Sequence, residues 1–467
     1  MVNHKKVTAK NLVIVISSDN FVRNYITTNA FLELKKEFNC TYLISDSVSH
    51  LAQFNSKDKV FCYGYDKEKL QTYYNLFNLM MRRYKDKSKS FRFRIERFDY
   101  LFAKKNNESN FIFVLKTLRK FLVRFKNNIL SNKFIFPYYF NFINKKIQPN
   151  NEIYKKIKEI DPVLILLPTS AHDPECLDLV EISNQLNKPL LFLVDNWDNL
   201  SSKSIMTQLP SNIAVWGQQS FEHATQIQGF SKHQISCIGT PRFDNYFALR
   251  NKKLKNMFDF KYILFVGTTL EFDEAGAIKK LNSIVSNNPN IFKGVKILYR
   301  PHPWRQGRDT IVGMNLEFVI IDPQLIDQYT KKNPTGHFQP PLSYYPSLLQ
   351  NADIVIGGLS SMLIEALIFK KCFAAIVYND KKNLTSPHNV LKNYEHFQGL
   401  DSIQAVKFLS DYSSFEKDFI MFWNHRNLVD FDEVDVRRRY YCFDDSRKYS
   451  ERLNDLCCKI INCKINF

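Results

Sequence analysis

Two short runs of the sequence carry groups suited to phosphate. One is Tyr299, Arg300, Pro301, His302, Pro303 and Trp304; the other is Gly357, Gly358, Leu359, Ser360 and Ser361, ahead of MLIEALIFKK. In the first, two prolines stiffen the loop, and Arg300 and His302 supply a cation and a hydrogen-bond donor that suit a diphosphate. In the second, the glycines permit close backbone approach, Ser360 or Ser361 can cap the next helix, and the N–H groups at its start favour a phosphate. Glu365, about one turn further on, is placed to accept hydrogen bonds from ribose hydroxyls. Thr268 and Thr269, which follow Val266 and Gly267, fit the floor of a phosphate cleft or a tight turn equally well. Taken together these runs describe a nucleotide mono- or diphosphate pocket.

Acid/base candidates lie elsewhere: Asp19 with Arg23, His172 with Asp173, and Asp195 with Asp198 in VDNWDNLSSK. A reaction in which a hydroxyl attacks needs a carboxylate or imidazole within hydrogen-bond reach of it. Asp173 and His172 rank first, Asp19 second and Asp195 third, although each is also an ordinary loop residue. No zinc-type CxxC spacing and no DxD pair with a suitable strand-end setting is evident; no cofactor besides an activated nucleotide substrate is expected.

The elements that must position these groups are legible as apolar runs. NLVIVI (11–16), CTYLIS (40–45), VLILLP (163–168), PLLFLVD (189–195) and IAVWG (213–217) read as buried parallel strands, alternating with helix-length pieces such as 23–38 and 178–187. The pattern restarts with YILFVG (262–267), VKILYR (295–300), FVIID (318–322), ADIVIGG (352–358) and FAAIVY (373–378). Such alternation implies two doubly wound α/β domains, with ligands outside the carboxyl ends of the strands. The expected division is 1–245 for the first domain, 246–260 for a linker, 261–430 for the second domain and 431–467 for a helical tail packed back across the first. A chain of 467 residues is long enough for two such cores.

Charge is concentrated. Between Arg82 and Lys146 there are 18 Lys/Arg against four acids, which places +14 of the chain's net +19 in one segment. This basic, aromatic insert, about 67–150, includes a stretch from Val114 to Lys126 with apolar residues near helical spacing and Lys and Arg opposite. It suits either an anionic bilayer surface or acceptor phosphate, or a solvated helix pair packed on the domain. Nucleic acid is not an expected partner, because no recognition motif accompanies the charge. Nine scattered cysteines read as reduced thiols of a cytoplasmic protein. A polar start and the lack of a long apolar stretch give no secretion signal or membrane span.

These residues resemble the bacterial capsule and teichoic-acid transferases of the GT-B type, including the polysialyltransferases and the CDP-glycerol glycerophosphotransferases. The resemblance rests on the HP pair His302-Pro303 and the SS pair Ser360-Ser361, on DNWDNLSSK and VWG (215–217), and on IGTPRFD (238–244), and spans about 160–400. It implies a GT-B-like fold of two Rossmann-like domains facing a cleft, with the HP and SS motifs on the donor phosphates and no metal required. The implied activity is metal-independent glycosyl transfer from a nucleotide-sugar donor to a surface glycan or lipid-linked acceptor, in the cytoplasm or at the inner face of the plasma membrane. The acidic motif of the polysialyltransferases is absent. Met362-Leu363-Ile364-Glu365 follows the serines where the glycerophosphotransferases carry an aspartate, which favours a sugar nucleotide over CDP-glycerol. A polyol-phosphate transferase, a nucleotide-sugar 2-epimerase and a non-catalytic membrane-surface module are the alternative readings.

Overall fold

Seven strands of the first unit pair in parallel: β1 (Asn11–Ile16), β2 (Asn39–Ser45), β3 (Lys59–Tyr63), β4 (Leu164–Thr169), β5 (Leu190–Val194), β6 (Asn212–Val215) and β7 (Ile235–Cys237). Their order in the sheet is β3-β2-β1-β4-β5-β6-β7. The computed structural model describes residues 10–100, 109–203, 205–303, 311–330 and 340–465. Trp304 of the HP run and residues 1–9 of the basic N-terminus lie outside the described residues.

Both faces of this sheet are covered, which is why its strands are continuous apolar runs. Alternate residues of β1 enter separate cores. Leu12, Ile14 and Ile16 pack with Tyr449, Leu453 and Cys457 of the helix Tyr449–Ile465. Val13 and Val15 pack with Ile153 and Ile157 of Asn151–Ile160 and with Leu179 and Ile182 of Pro174–Leu186.

The second unit repeats the plan with β8 (Lys261–Val266), β9 (Val295–Arg300), β10 (Val319–Ile321), β11 (Ala352–Gly357), β12 (Phe373–Ile376) and β13 (Val406–Leu409). All pairs are parallel, in the order β10-β9-β8-β11-β12-β13. Each unit is therefore a Rossmann-like, doubly wound α/β domain. The direction of strand addition reverses between β1 and β4 in one and between β8 and β11 in the other, and the loops beyond those strand ends are where open parallel sheets hold ligands.

By compactness the units are Met1–Pro241 with Tyr441–Phe467, and Arg242–Tyr440. The stretch 246–260 read as a linker begins inside the helix Asp244–Leu249, whose Tyr246 is fully buried in the second unit. One helix expected over 23–38 is instead broken into Asp19–Phe21, a wide turn Val22–Ile26 and Leu34–Glu37. Thr27 and Thr28 turn their hydroxyls back to the carbonyls of Arg23 and Asn24, and Asn29 takes a left-handed φ of 59°, which ends helical propagation.

Among the described residues the insert contains the α-helices Lys67–Arg83, Lys89–Tyr100, Asn110–Leu130 and Ile135–Ile147. Tyr73, Leu76, Met80, Phe91, Phe136 and Phe140 form a core that also takes in Leu177, Ile205 and Ile227 and so anchors the insert on the first unit. Asp66 and Ser109 accept hydrogen bonds from the N–H groups of Lys69 and Ile112 and so start two of these helices.

Candidate functional site

In the second unit three strand ends converge because three glycines let them. A Cβ on Gly357 would lie 2.2 Å from the Val266 carbonyl oxygen, one on Gly267 would lie 2.8 Å from the His302 nitrogen, and one on Gly358 would lie 2.9 Å from Thr268 Cγ2. Side chains there would force the loops after β8, β9 and β11 apart. The loop after β8 therefore runs between the loop after β9, which carries His302, and the loop after β11, which carries Ser360 and Ser361, at the carboxyl edge of the sheet beside the switch between β8 and β11.

His302 is half-buried, and its Nε2 lies 3.4 Å from Thr269 Oγ1. Ser360 Oγ is shielded from solvent and has no hydrogen-bond partner among the described residues. A buried hydroxyl in that state costs free energy until something supplies a partner. Ser361 stands at the start of the helix Met362–Ile368 and makes no side-chain capping bond. Thr268 is held in place: its N–H donates to Glu274 at 2.9 Å and its hydroxyl to the Leu270 carbonyl at 2.8 Å. Glu274 also accepts from the Tyr299 hydroxyl at 2.7 Å, tying the β8 loop to β9.

Arg300 and Glu365 occupy different places from those expected of ligand-facing groups. The Arg300 guanidinium is buried, donates to Asp322 and to Gln324 Oε1 at 2.7 Å, and lies over the rings of Tyr344 and Tyr345. Asp322, fully buried, also accepts from the Tyr344 hydroxyl at 2.7 Å. Burial alone would lower the Arg300 pKa, but Tyr345 and Asp322 more than reverse this, so the cation is fixed and locally neutralised. Glu365 is fully buried as well; one oxygen accepts from Arg242 and the other from the Tyr246 hydroxyl at 3.1 Å. Both residues therefore brace the loops rather than present charge to solvent.

In the first unit the candidates fall at the ends of β1, β4 and β5. Asp19 accepts from the Asn20 N–H at 2.8 Å, and Asn24 bridges Arg23 to the buried Asp195, which it meets at 2.8 Å. Asp173 accepts from the Thr169 hydroxyl and the Ser170 N–H, each at 2.7 Å. Burial raises its pKa against the pull of those bonds. His172 packs against Phe77, ring centroids 4.7 Å apart, and against Tyr74. Burial first, then Arg94 and Lys203, push its pKa down to about 3, so the ring is neutral and weakly basic near pH 7.

A group missed in the sequence stands next to them. Glu175 is buried, accepts from the Tyr63 hydroxyl at 2.9 Å, and is pushed up to about 8 by burial and by the neighbouring Asp173. Asp178, one turn on, receives the hydroxyls of Tyr65 and Tyr73. In the sequence an acid in the first turn of a helix is unremarkable, and only the tyrosine spacing Tyr63-Tyr65 hints at partners.

No family model matches the sequence, and no curated protein matches it. Among solved structures the chain is similar to the UDP-GlcNAc 2-epimerase from Methanocaldococcus jannaschii, with 10% identity over 96% of this chain and 99% of that one and a TM-score of 0.48. It is similar to the glycotransferase of kitacinnamycin, with 9% identity over 97% of this chain and 99% of that one and a TM-score of 0.48. It is also similar to the wall teichoic acid polymerase TagF, with 12% identity over 98% of this chain and 90% of that one and a TM-score of 0.47.

Proposed function

We propose that this chain is a GT-B-type glycosyltransferase that binds the diphosphate of a nucleotide-activated sugar at the loops after β8, β9 and β11 and transfers the sugar to a hydroxyl of a glycan or lipid-linked acceptor. The observation that carries the reading is the shielded, unpartnered Ser360 hydroxyl in the loop after β11, where glycines let that loop and the His302 loop both close on the loop after β8. A phosphate oxygen supplies the acceptor that Ser360 lacks, and His302 donates a second hydrogen bond to the same group. As the acceptor oxygen attacks the anomeric carbon, the bond to the diphosphate breaks and negative charge collects on the leaving group. His302 and the serine hydroxyls stabilise that charge where it develops, in the role that a metal ion plays elsewhere. Asp19 and Asp173 are the proposed acceptors of the hydroxyl proton; His172, its pKa held down to about 3, is too weak a base for that step. Arg300 and Glu365 act as positioning residues, through Asp322 and Arg242.

The test is nucleotide binding by calorimetry with UDP, CDP, GDP, dTDP and CMP, repeated with His302→Ala and Ser360→Ala. One nucleotide binds the unaltered chain, and each variant weakens it at least about tenfold, roughly the 1.4 kcal/mol of one lost charge-assisted bond. Ser360→Ala leaves the unliganded chain at least as stable as before, since it removes an unsatisfied buried group. Absence of binding by every nucleotide, or equal binding by both variants, overturns the proposal.

A further inference from the structure

The helix Asn110–Leu130 turns an apolar stripe outwards. The partly covered residues recur at 113, 116, 120, 123, 127 and 130, where apolar Phe113, Val123 and Leu130 are mixed with Lys116, Lys120 and Asn127. The opposite face holds Phe111, Leu115, Leu118, Leu122, Phe125 and Ile129 at steps of three and four, and all are exposed, Phe111 by 72% and Phe125 by 58%. Helical geometry lines these up along about 30 Å. Phe134, just before the next helix, and Tyr138 and Phe142 within it are exposed as well, Tyr138 by 79%. An exposed apolar stripe of this length marks a binding face.

Charge identifies the partner. From Ser109 to Asn150 there are eight Lys/Arg and no Asp or Glu. Arg119 and Lys126 fall on the flank of the apolar stripe by helical spacing. Beside it, Arg82, Lys85 and Arg124 line a groove of about 440 Å³ together with Phe121 and Phe125. Among the described residues no helix is long and apolar enough to cross a membrane. A basic helix with an outward apolar stripe lies in the plane of an interface, its rings among the acyl chains and its cations among anionic headgroups.

We propose that the hairpin of Asn110–Leu130 and Ile135–Ile147 docks the protein onto an anionic lipid bilayer. The apolar stripe supplies the insertion, the flanking lysines and arginines select the charge, and the groove of Arg82, Lys85 and Arg124 receives a headgroup phosphate. This rests on surface residues remote in sequence from those of the nucleotide site, so either proposal can fail without the other.

The experiment is flotation of the full-length chain with vesicles of phosphatidylcholine alone and of phosphatidylcholine with 30 mol% (roughly a third) phosphatidylglycerol, at low and high salt. The anionic vesicles carry the protein and the neutral ones carry little, with binding reduced at high salt. The triple variant Leu118→Ser/Leu122→Ser/Phe125→Ser loses at least about tenfold in vesicle affinity while its circular dichroism and unfolding midpoint are kept, because the altered side chains are exposed. Arg119→Gln/Lys126→Gln loses only the salt-sensitive part. Equal flotation with both vesicle types, or an unaltered triple variant, overturns the proposal. So does light scattering that shows a dimer converted to monomer by the triple variant with no vesicle binding, since a second copy then covers the stripe.

Discussion

Glu175 and His172 lie three residues apart and store opposite dependences on pH. Glu175 is held at about 8 against an ordinary value of 4.5, so the folded state keeps a proton that the unfolded chain releases. Its contribution is complete below about 4.5 and is lost as pH rises through 8. His172 is held at about 3 against 6.5, so its contribution is present above 6.5 and is lost as pH falls towards 3. The two oppose one another between 4.5 and 6.5; above 6.5 the histidine no longer changes and Glu175 dominates the slope. The unfolding free energy of the unaltered chain, read from urea titrations, therefore falls from pH 6.5 to 8, by at most about 1.4 kcal/mol per pH unit for this group, and Glu175→Gln flattens that fall. An unchanged slope in the variant would refute the assignment. At this scale the sequence reading recovered residue types better than residue partners. Arg300 reads as a cation, but Asp322 and Tyr345, which enclose it, lie 22 and 45 positions away and are adjacent only through the sheet and the helix Tyr345–Gln350 before β11. Ser360 was legible as a hydroxyl after glycines; its isolation from any partner was not.

Among the elements, the glycines at the ends of β8 and β11 set the tightest geometric demand. Gly357 stands in register with Val266, so a methyl group there cannot be accommodated by a rotamer change, because the obstructing atom is backbone. Gly357→Ala costs about 1–3 kcal/mol or more, measured as a lowered unfolding midpoint, and spreads the loops enough to weaken nucleotide binding. A variant of full stability and full affinity would show that the convergence is not needed. Strands buried on both faces announced themselves as apolar runs. Those passed over were the edge strands β3, β7 and β13, where one side lacks a neighbour and the sequence relaxes to residues such as Lys59 and Lys407. The helix expected over 23–38 failed for a local reason as well, since side-chain hydroxyls compete for its carbonyls.

For the molecule as a whole, the first unit is assembled from two separated pieces of chain. The helix Tyr449–Ile465 lays Tyr449, Leu453, Cys457 and Ile461 over β1 and β2, and Arg452 donates to the Ile238 carbonyl at 2.9 Å. A chain ending at Tyr440 leaves that face of the sheet covered only in part, by Phe21, Tyr25, Phe31 and Leu34, and its first unit is expected to lose cooperative unfolding and to bind a hydrophobic dye, whereas the second unit retains nucleotide affinity. Normal unfolding of the truncated chain would refute this. The restart of the strand pattern implied two domains and the tail was expected to pack back across the first, but which of its residues meet β1 and β2 depends on long-range packing that no local pattern reports. Discontinuity also orders events during synthesis. Arg242–Tyr440 is continuous and can fold as soon as it leaves the ribosome, while the earlier-made sheet around β1 must wait, half covered, for residues that emerge some two hundred positions later. The nascent first unit is then the part most in need of a chaperone, and pauses in translation after Tyr440 would lengthen its exposure.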